Sequence, residues 1–278
     1  MPSKRLVSTA VICLLLGAGT AACGDNKDSD KAAAPATTAA AAAAPTATPT
    51  PTPTVAKLDT DKLTAQEIKK QAKDALTGAS AVKLAGTMVD QDGTMEINLA
   101  MDSKGRCTGS MSVPGMGKVE VLRDGTASYM KPDAAFWTAI GGQNGAKAAE
   151  LFKGRYLTGF DNDPEMKPFT SLCDLSEFSK QIVEGGDTAA TSVEKGSAGT
   201  TNGVKTFSLK VTNAQGEHGT IDVATEGKPY PLHIETAPGK DGQTKIDLSD
   251  FDKPLTVQAP PADNTIDFSK FKDQVKTA

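Results

Sequence analysis

The side chains that could do chemistry in this chain are few, and their spacing does not serve it. The candidate nucleophiles and metal ligands of highest value are four cysteines and two histidines. His218 and His233 come with neither an H-E-x-x-H nor a mixed Cys and His cluster, so a zinc site lacks its ligands. His233 stands in YPLHIET between Leu232 and Ile234, which marks an exposed polar position on a strand. Ser269 and Lys272 make a formal S-x-x-K, but the S-D-N and K-T-G partners of that chemistry are missing; Lys205 to Phe207 reads KTF. The stretch GGQNGAK, Gly141 to Lys147, has neither the spacing nor the following hydroxyl of a phosphate-cradling loop, and reads as a connection. Asp161 with Asp163, and Asp250 with Asp252, are pairs common in turns. No catalytic residue, metal or cofactor is assigned on these grounds, and the chain reads as a non-enzyme.

The cysteines sort by position. Met1 to Arg5 supply a short basic start through Lys4 and Arg5, Leu6 to Gly19 form an apolar stretch, and Thr20, Ala21 and Ala22 are small, which is the layout of a secretory signal containing Cys13. The apolar run is shorter than the roughly 20 residues a helix needs to cross a bilayer. Thr20, Ala21, Ala22 and Cys23 resemble the lipobox of lipoproteins, with Thr20 where Leu is usual. Read so, cleavage precedes Cys23 and its thiol carries a diacylglycerol. The other reading is an ordinary signal cleaved near Ala22, leaving a free terminal thiol. Lipidation is favoured, because secretion alone gives no use for an exposed reactive thiol at the first position. Cys107 and Cys173 remain. In an exported chain they pair most simply as a disulfide, with two buried thiols as the alternative.

From Ala32 to Ala56 the chain is Ala, Thr, Pro and one Val, ending in repeated Pro-Thr. Proline removes amide donors and favours extended polyproline II, and nothing bulky is present to pack. Such a spacer reaches about 75 Å if fully extended. The expected organisation is therefore 1–22 signal peptide, 23–57 lipidated terminus and tether, 58–273 folded domain and 274–278 flexible end. From Leu58 onward there are 25 basic and 31 acidic residues. That balance argues against non-specific nucleic-acid binding, which needs a positive footprint.

The elements of the domain follow from two periods. Thr64 to Glu67 form a capping box before Ile68, Ala72, Ala75 and Leu76, which predicts a helix over Thr64 to Leu76 stopped at Gly78. Period two then takes over at Val82, Leu84, Gly86 and Met88, and again at Met95, Ile97, Leu99 and Met101 after the turn Asp92-Gly93. Cys107 to Val113, Val119 to Val121 and Ala127 to Met130 continue an antiparallel meander. Ala146 to Phe152 and Asp174 to Ile182 read as helices. Strands return at Thr188 to Lys195, Lys205 to Thr212, Gly219 to Thr225, Tyr230 to Thr236 and Thr244 to Leu248, with an extended end at Leu255 to Val257. Methionines at 88, 95, 101, 111, 116, 130 and 166 make the apolar strand face adaptable, suited to a core or to a deformable ligand.

RDGTASYMKPDAAFW (Arg123 to Trp137), ATEGKPYPLHIE (Ala224 to Glu235) and SDFDKPLTVQAPPAD (Ser249 to Asp263) together resemble actinobacterial lipoproteins of the LolA-like superfamily, of the LppX, LprA and LprG type. The resemblance implies an α+β fold: a strongly curved antiparallel β-sheet, a LolA-like half-barrel, with helices covering its concave face. It implies an apolar cavity that takes an acylated lipid or lipoglycan, carried or presented in the cell envelope without covalent catalysis. The candidate lining is Leu84, Met88, Ile97, Leu99, Met111, Val119 and Val121 from strands, with Phe136, Trp137, Leu151, Phe152, Phe178 and Ile182 from the covering segments; ordinary core is the alternative for each. The expected partners are that lipid, the outer leaflet of the cytoplasmic membrane through the anchor, and a membrane transporter. The expected place is the extracytoplasmic face of the membrane, reaching toward the cell wall. The competing function is an envelope adaptor that binds a protein through loops or a sheet edge.

Overall fold

Thr64 opens the first helix as its spacing predicts. Its Oγ1 accepts from the Glu67 N–H at 3.2 Å, and Glu67 Oε2 accepts from the Thr64 N–H at 2.7 Å. Helix α1 (Ala65–Thr77) follows, buries Ile68, Ala72 and Leu76, and ends at Gly78. The structure is a computed structural model and describes residues 57–90, 93–171, 173–184, 190–214, 216–238 and 242–270. These lie within the compact unit Thr52–Ala278. Cys13, Cys23, the signal and the tether lie outside the described residues.

After α1 the chain makes the meander β1 (Ala81–Asp90), β2 (Gly93–Asp102), β3 (Arg106–Val113), β4 (Gly117–Asp124) and β5 (Ser128–Pro132). Helices α2 (Ala134–Ile140) and α3 (Gly145–Phe152) precede the short β6 (Tyr156–Thr158), and α4 (Lys167–Ser171) and α5 (Leu175–Glu184) follow it. A second meander comprises β7 (Ala190–Thr201), β8 (Val204–Asn213), β9 (His218–Ala224), β10 (Pro231–Thr236) and β11 (Gln243–Ser249), and β12 (Thr265–Asp267) comes last. All join one 12-stranded sheet in the order β12-β6-β5-β4-β3-β2-β1-β11-β10-β9-β8-β7.

Cross-strand register explains the core. One row runs Leu209, Ile221, Ile234, Ile246, Gly86, Ile97, Met111 and Val119 from β8 to β4. A second runs Leu248, Leu84, Leu99, Gly109, Val121, Met130 and Leu157 from β11 to β6. The apolar side chains of both rows are buried. They share one face because strand side chains alternate. Helix α1 packs over β7 and β10 and against α5, and α2 packs over β4.

Two expectations are corrected here. The sheet is not a strongly curved antiparallel half-barrel. It is open and mixed: its terminal strands β12 and β7 do not pair with each other, and β12 runs parallel to β6. Bending a sheet sharply relies on bulges, and the register shifts fall on the β9–β10 and β7–β8 pairs. From β10 through β11 and β1 to β5 the pairing keeps its register. Alternation reports which side of a strand is apolar, and curvature is a separate property that it does not encode. The second correction is local: Leu255 to Val257 is not a strand, and the C-terminal strand is β12.

The chain between β11 and β12 is pinned by one carboxylate. Asp252 Oδ1 accepts from the Ser80 N–H at 2.8 Å and the Ser80 hydroxyl at 3.2 Å, and Oδ2 accepts from Lys228 Nζ and the Tyr230 hydroxyl, each at 2.7 Å. Phe251 stacks on Tyr230 with centroids 3.9 Å apart. Lys228, the Ser80 amide and Tyr230 hold the Asp252 carboxyl well below the usual carboxylate range. A depressed native pKa stabilises the fold above the unfolded value, and that stability is lost as pH falls toward the native one. Asp252→Asn suits the left-handed φ of 60° and removes only the charge. The site is partly exposed, so the expected loss is about 1 kcal/mol at neutral pH. Urea titrations should show the gap between variant and parent narrowing from about pH 4 downward; a gap that stays constant would mean the carboxylate is not the pin.

Candidate functional site

The structure places most of the expected cavity lining on the helix-covered face. Leu84, Ile97, Leu99, Met111, Val119 and Val121 are buried there, and Met88 is half-buried. Asp133 caps α2, accepting from the Phe136 N–H at 2.8 Å, and this turns Phe136 and Trp137 inward. Trp137 stacks on Phe152 at 4.6 Å, with Phe136 edge-on to it at 5.8 Å. These three rings pack on one another, and all are buried. Phe178 is half-buried, and the side chain of Ile182 lies outside the described residues. Leu151 does not line the interior: it is 58% exposed, because α3 buries Phe152 and turns its neighbour outward.

Four of the expected residues, Leu84, Ile97, Leu99 and Phe178, border one pocket together with Met101, Ser171 and Glu177. Its volume is about 60 Å³. That is far below the roughly 300–1,000 Å³ of small-molecule sites.

Cys107 on β3 and Cys173 ahead of α5 are joined in a disulfide with Cα atoms 5.3 Å apart, and both are buried. Asp102 belongs to no motif that would mark it in the sequence. Its carboxylate is 3% exposed and is satisfied by the N–H groups of Lys104 and Arg106 and by the Arg106 guanidinium at 2.6–2.7 Å. That pair holds the β2–β3 turn. His233 lies on the polar face with Nδ1 2.8 Å from Asp247 Oδ1, and His218 Nδ1 lies 3.0 Å from Thr212 Oγ1. Ser269 hydrogen-bonds Asp267, and Lys272 lies outside the described residues. Among the described residues no three His, Cys, Asp or Glu side chains gather in metal-holding geometry, and no helix is long and apolar enough to cross a membrane.

A surface apart from this lining is the β7 edge. Strand β7 is 12 residues long, pairs among the described residues only with β8, and is exposed along most of its length. Asn202 and Gly203, with φ of 51° and 81°, make the two-residue turn that sets its register, Thr201 opposite Val204. Thr201 and Val204 form the hydrogen-bonded pair next to such a turn, so Thr200 and Ala198 aim their backbone N–H and C=O groups away from β8. A register shift between Lys195 and Ala198 bends the strand farther along. Lys195 also anchors the segment before α1, donating to the Thr60 carbonyl at 2.8 Å. The opposite edge is different: β12 has three residues.

No family model and no curated protein matches the sequence. Among solved structures, LprF from Mycobacterium bovis is similar at 13% identity and a TM-score of 0.49, over 71% of this chain and 97% of that one. The lipoprotein LppX of Mycobacterium tuberculosis is similar at 13% identity and a TM-score of 0.44, over 70% and 98%. The MucA/MucB complex of Pseudomonas aeruginosa is similar at 13% identity and a TM-score of 0.29, over 72% of this chain and 59% of that one. These similarities are distant, and they assign neither a family nor an activity.

Proposed function

We propose that the protein is a non-catalytic binding protein of the cell envelope, and that the β7 edge receives an extended segment of a protein partner. The observation that carries this reading is the length and exposure of β7, at the end of the sheet, with the backbone groups of Ala198 and Thr200 directed away from β8. Strand addition to such an edge takes its affinity from main-chain hydrogen bonds and needs no cavity. The Thr20 to Cys23 segment supports lipid anchoring at Cys23, with the Ala, Thr and Pro tether holding the domain away from the membrane. Carriage of an acylated lipid is the weaker reading, since the expected lining meets around a pocket of about 60 Å³.

The test removes the outward donors alone. Ala198→Pro with Thr200→Pro leaves the β8 hydrogen bonds intact and blocks strand addition. In pulldowns from detergent-extracted membranes, the double variant is expected to lose at least tenfold of the captured partner while its unfolding midpoint stays within about 1 kcal/mol of the parent. Equal capture by both proteins would end this reading. Intact mass of the same extracted protein reads the anchor: a chain beginning at Cys23 with a diacylglycerol supports it, and an unmodified Cys23 removes it.

A further inference from the structure

The hairpin of α2 and α3 presents a surface that the β7 reading does not use. Four large aliphatic side chains are exposed among the described residues, and the two most exposed, Ile140 at 51% and Leu151 at 58%, are both on this hairpin. Ala134, Ala135, Ala139 and Ala146 are exposed around them. The hairpin is held close by glycine: a Cβ on Gly145 would lie 2.7 Å from Thr138 Cα, and one on Gly141 would lie 2.6 Å from Gly145 Cα. The aliphatic residues are thus carried on a tight helical pair.

Charge on this part of the chain is opposite to that of the rest. Residues 131–155 hold four basic and two acidic side chains, whereas the chain from Leu58 onward has an acidic excess. Lys131 is paired with Glu120 at 2.6 Å, but Lys118, Lys147 and Lys153 have no ion-pair partner among the described residues. Lys118, Lys131 and Lys153 line an open pocket of about 380 Å³ between the hairpin and the ends of β4 and β5, together with the carboxylates of Glu120, Asp133 and Glu150 and with Trp137 in its wall.

From this juxtaposition we propose that the α2–α3 hairpin docks on an anionic lipid surface: Ile140 and Leu151 enter the headgroup and acyl boundary, and Lys118, Lys147 and Lys153 meet lipid phosphates. Exposed aliphatics and unpaired lysines on the same short helices are the composition of interfacial membrane helices. Stable protein interfaces are enriched in aromatic residues at their centre. Here Phe136, Trp137 and Phe152 are turned inward.

The test uses the processed chain starting at residue 23 and carrying Cys23→Ser, so that no acyl anchor contributes. Co-sedimentation is compared on phosphatidylcholine vesicles with and without phosphatidylglycerol. Binding is expected only to the anionic vesicles and should weaken at high salt. Lys147→Glu with Lys153→Glu should weaken it at least tenfold, from about fivefold per lysine lost. Ile140→Ser with Leu151→Ser should weaken it comparably, and both pairs should leave the unfolding midpoint unchanged because all four residues are exposed. No binding to anionic vesicles, or binding that neither pair alters, overturns the proposal. So does a protein partner that engages the hairpin in the absence of vesicle binding. Each of these results is independent of the β7 proline test.

Discussion

Gly109→Val is expected to abolish folding. Gly109 sits on β3 between Leu99 of β2 and Val121 of β4, in the middle of a buried row. A Cβ there would lie 2.0 Å from the Asn98 carbonyl oxygen and 2.8 Å from Leu99 Cα. Both are backbone atoms of a paired strand, so relief requires separating β2 from β3 rather than turning a side chain. The isopropyl group adds its own volume to a filled layer. Single substitutions with this mechanism fall in the tail above about 4 kcal/mol, against a total stability of about 5–15 kcal/mol. Gly105 serves as the control: its φ is 72°, but no atom lies within 4 Å of where a Cβ would stand, so Gly105→Ala is expected to lose only about 1 kcal/mol. Soluble yield and urea unfolding of the two variants make the comparison. A Gly109→Val protein with a parental midpoint would mean that the strands yield locally.

The second large effect belongs to Cys107 and Cys173. They are 66 positions apart and connect the middle of one sheet flank to the start of α5. Closing a loop of that length restricts the unfolded chain by about 4 kcal/mol in the chain-entropy treatment. The expected outcome for Cys107→Ala with Cys173→Ala is a loss of that order, together with faster amide exchange in α5 than in the β1–β2 core. Unfolding of the parent with and without reductant measures the same quantity without mutation. A midpoint indifferent to reductant would show that the helices hold the loop unaided.

The legible parts of the fold are those in which neighbours in sequence decide the structure. The Thr64–Glu67 box marks α1, and alternation at Val82 to Met88 and Met95 to Met101 marks β1 and β2. Leu175 and Phe178 mark α5. Where a distant partner decides, the pattern is silent. β6 and β12 have three residues each and exist because Tyr156 to Thr158 and Thr265 to Asp267 pair with each other across a long stretch of chain. Asp252 reads as a common turn residue, yet its three partners, Ser80, Lys228 and Tyr230, come from β1's approach and from the chain before β10. The helical period of α3 does not separate Phe152 from Leu151, since two adjacent apolar residues straddle the boundary of its buried face. Gly141 and Gly145 read as a loop, and their use is the close approach of two helices.

Strand β1 stands in the middle of the sheet, with β2 on one side and β11 on the other. Its second neighbour is made almost last: Leu84 meets Leu248. In a chain that emerges N-terminus first, the strands of the first meander are therefore all present, with β1 as a bare edge apolar on one face, while nearly the whole second meander is still to come. Long-range pairing of this kind is slow, and an unprotected edge invites intermolecular pairing in the interval. The seam between β1 and β11 sets a waiting time during biogenesis, and any factor that shields nascent strands would act there first.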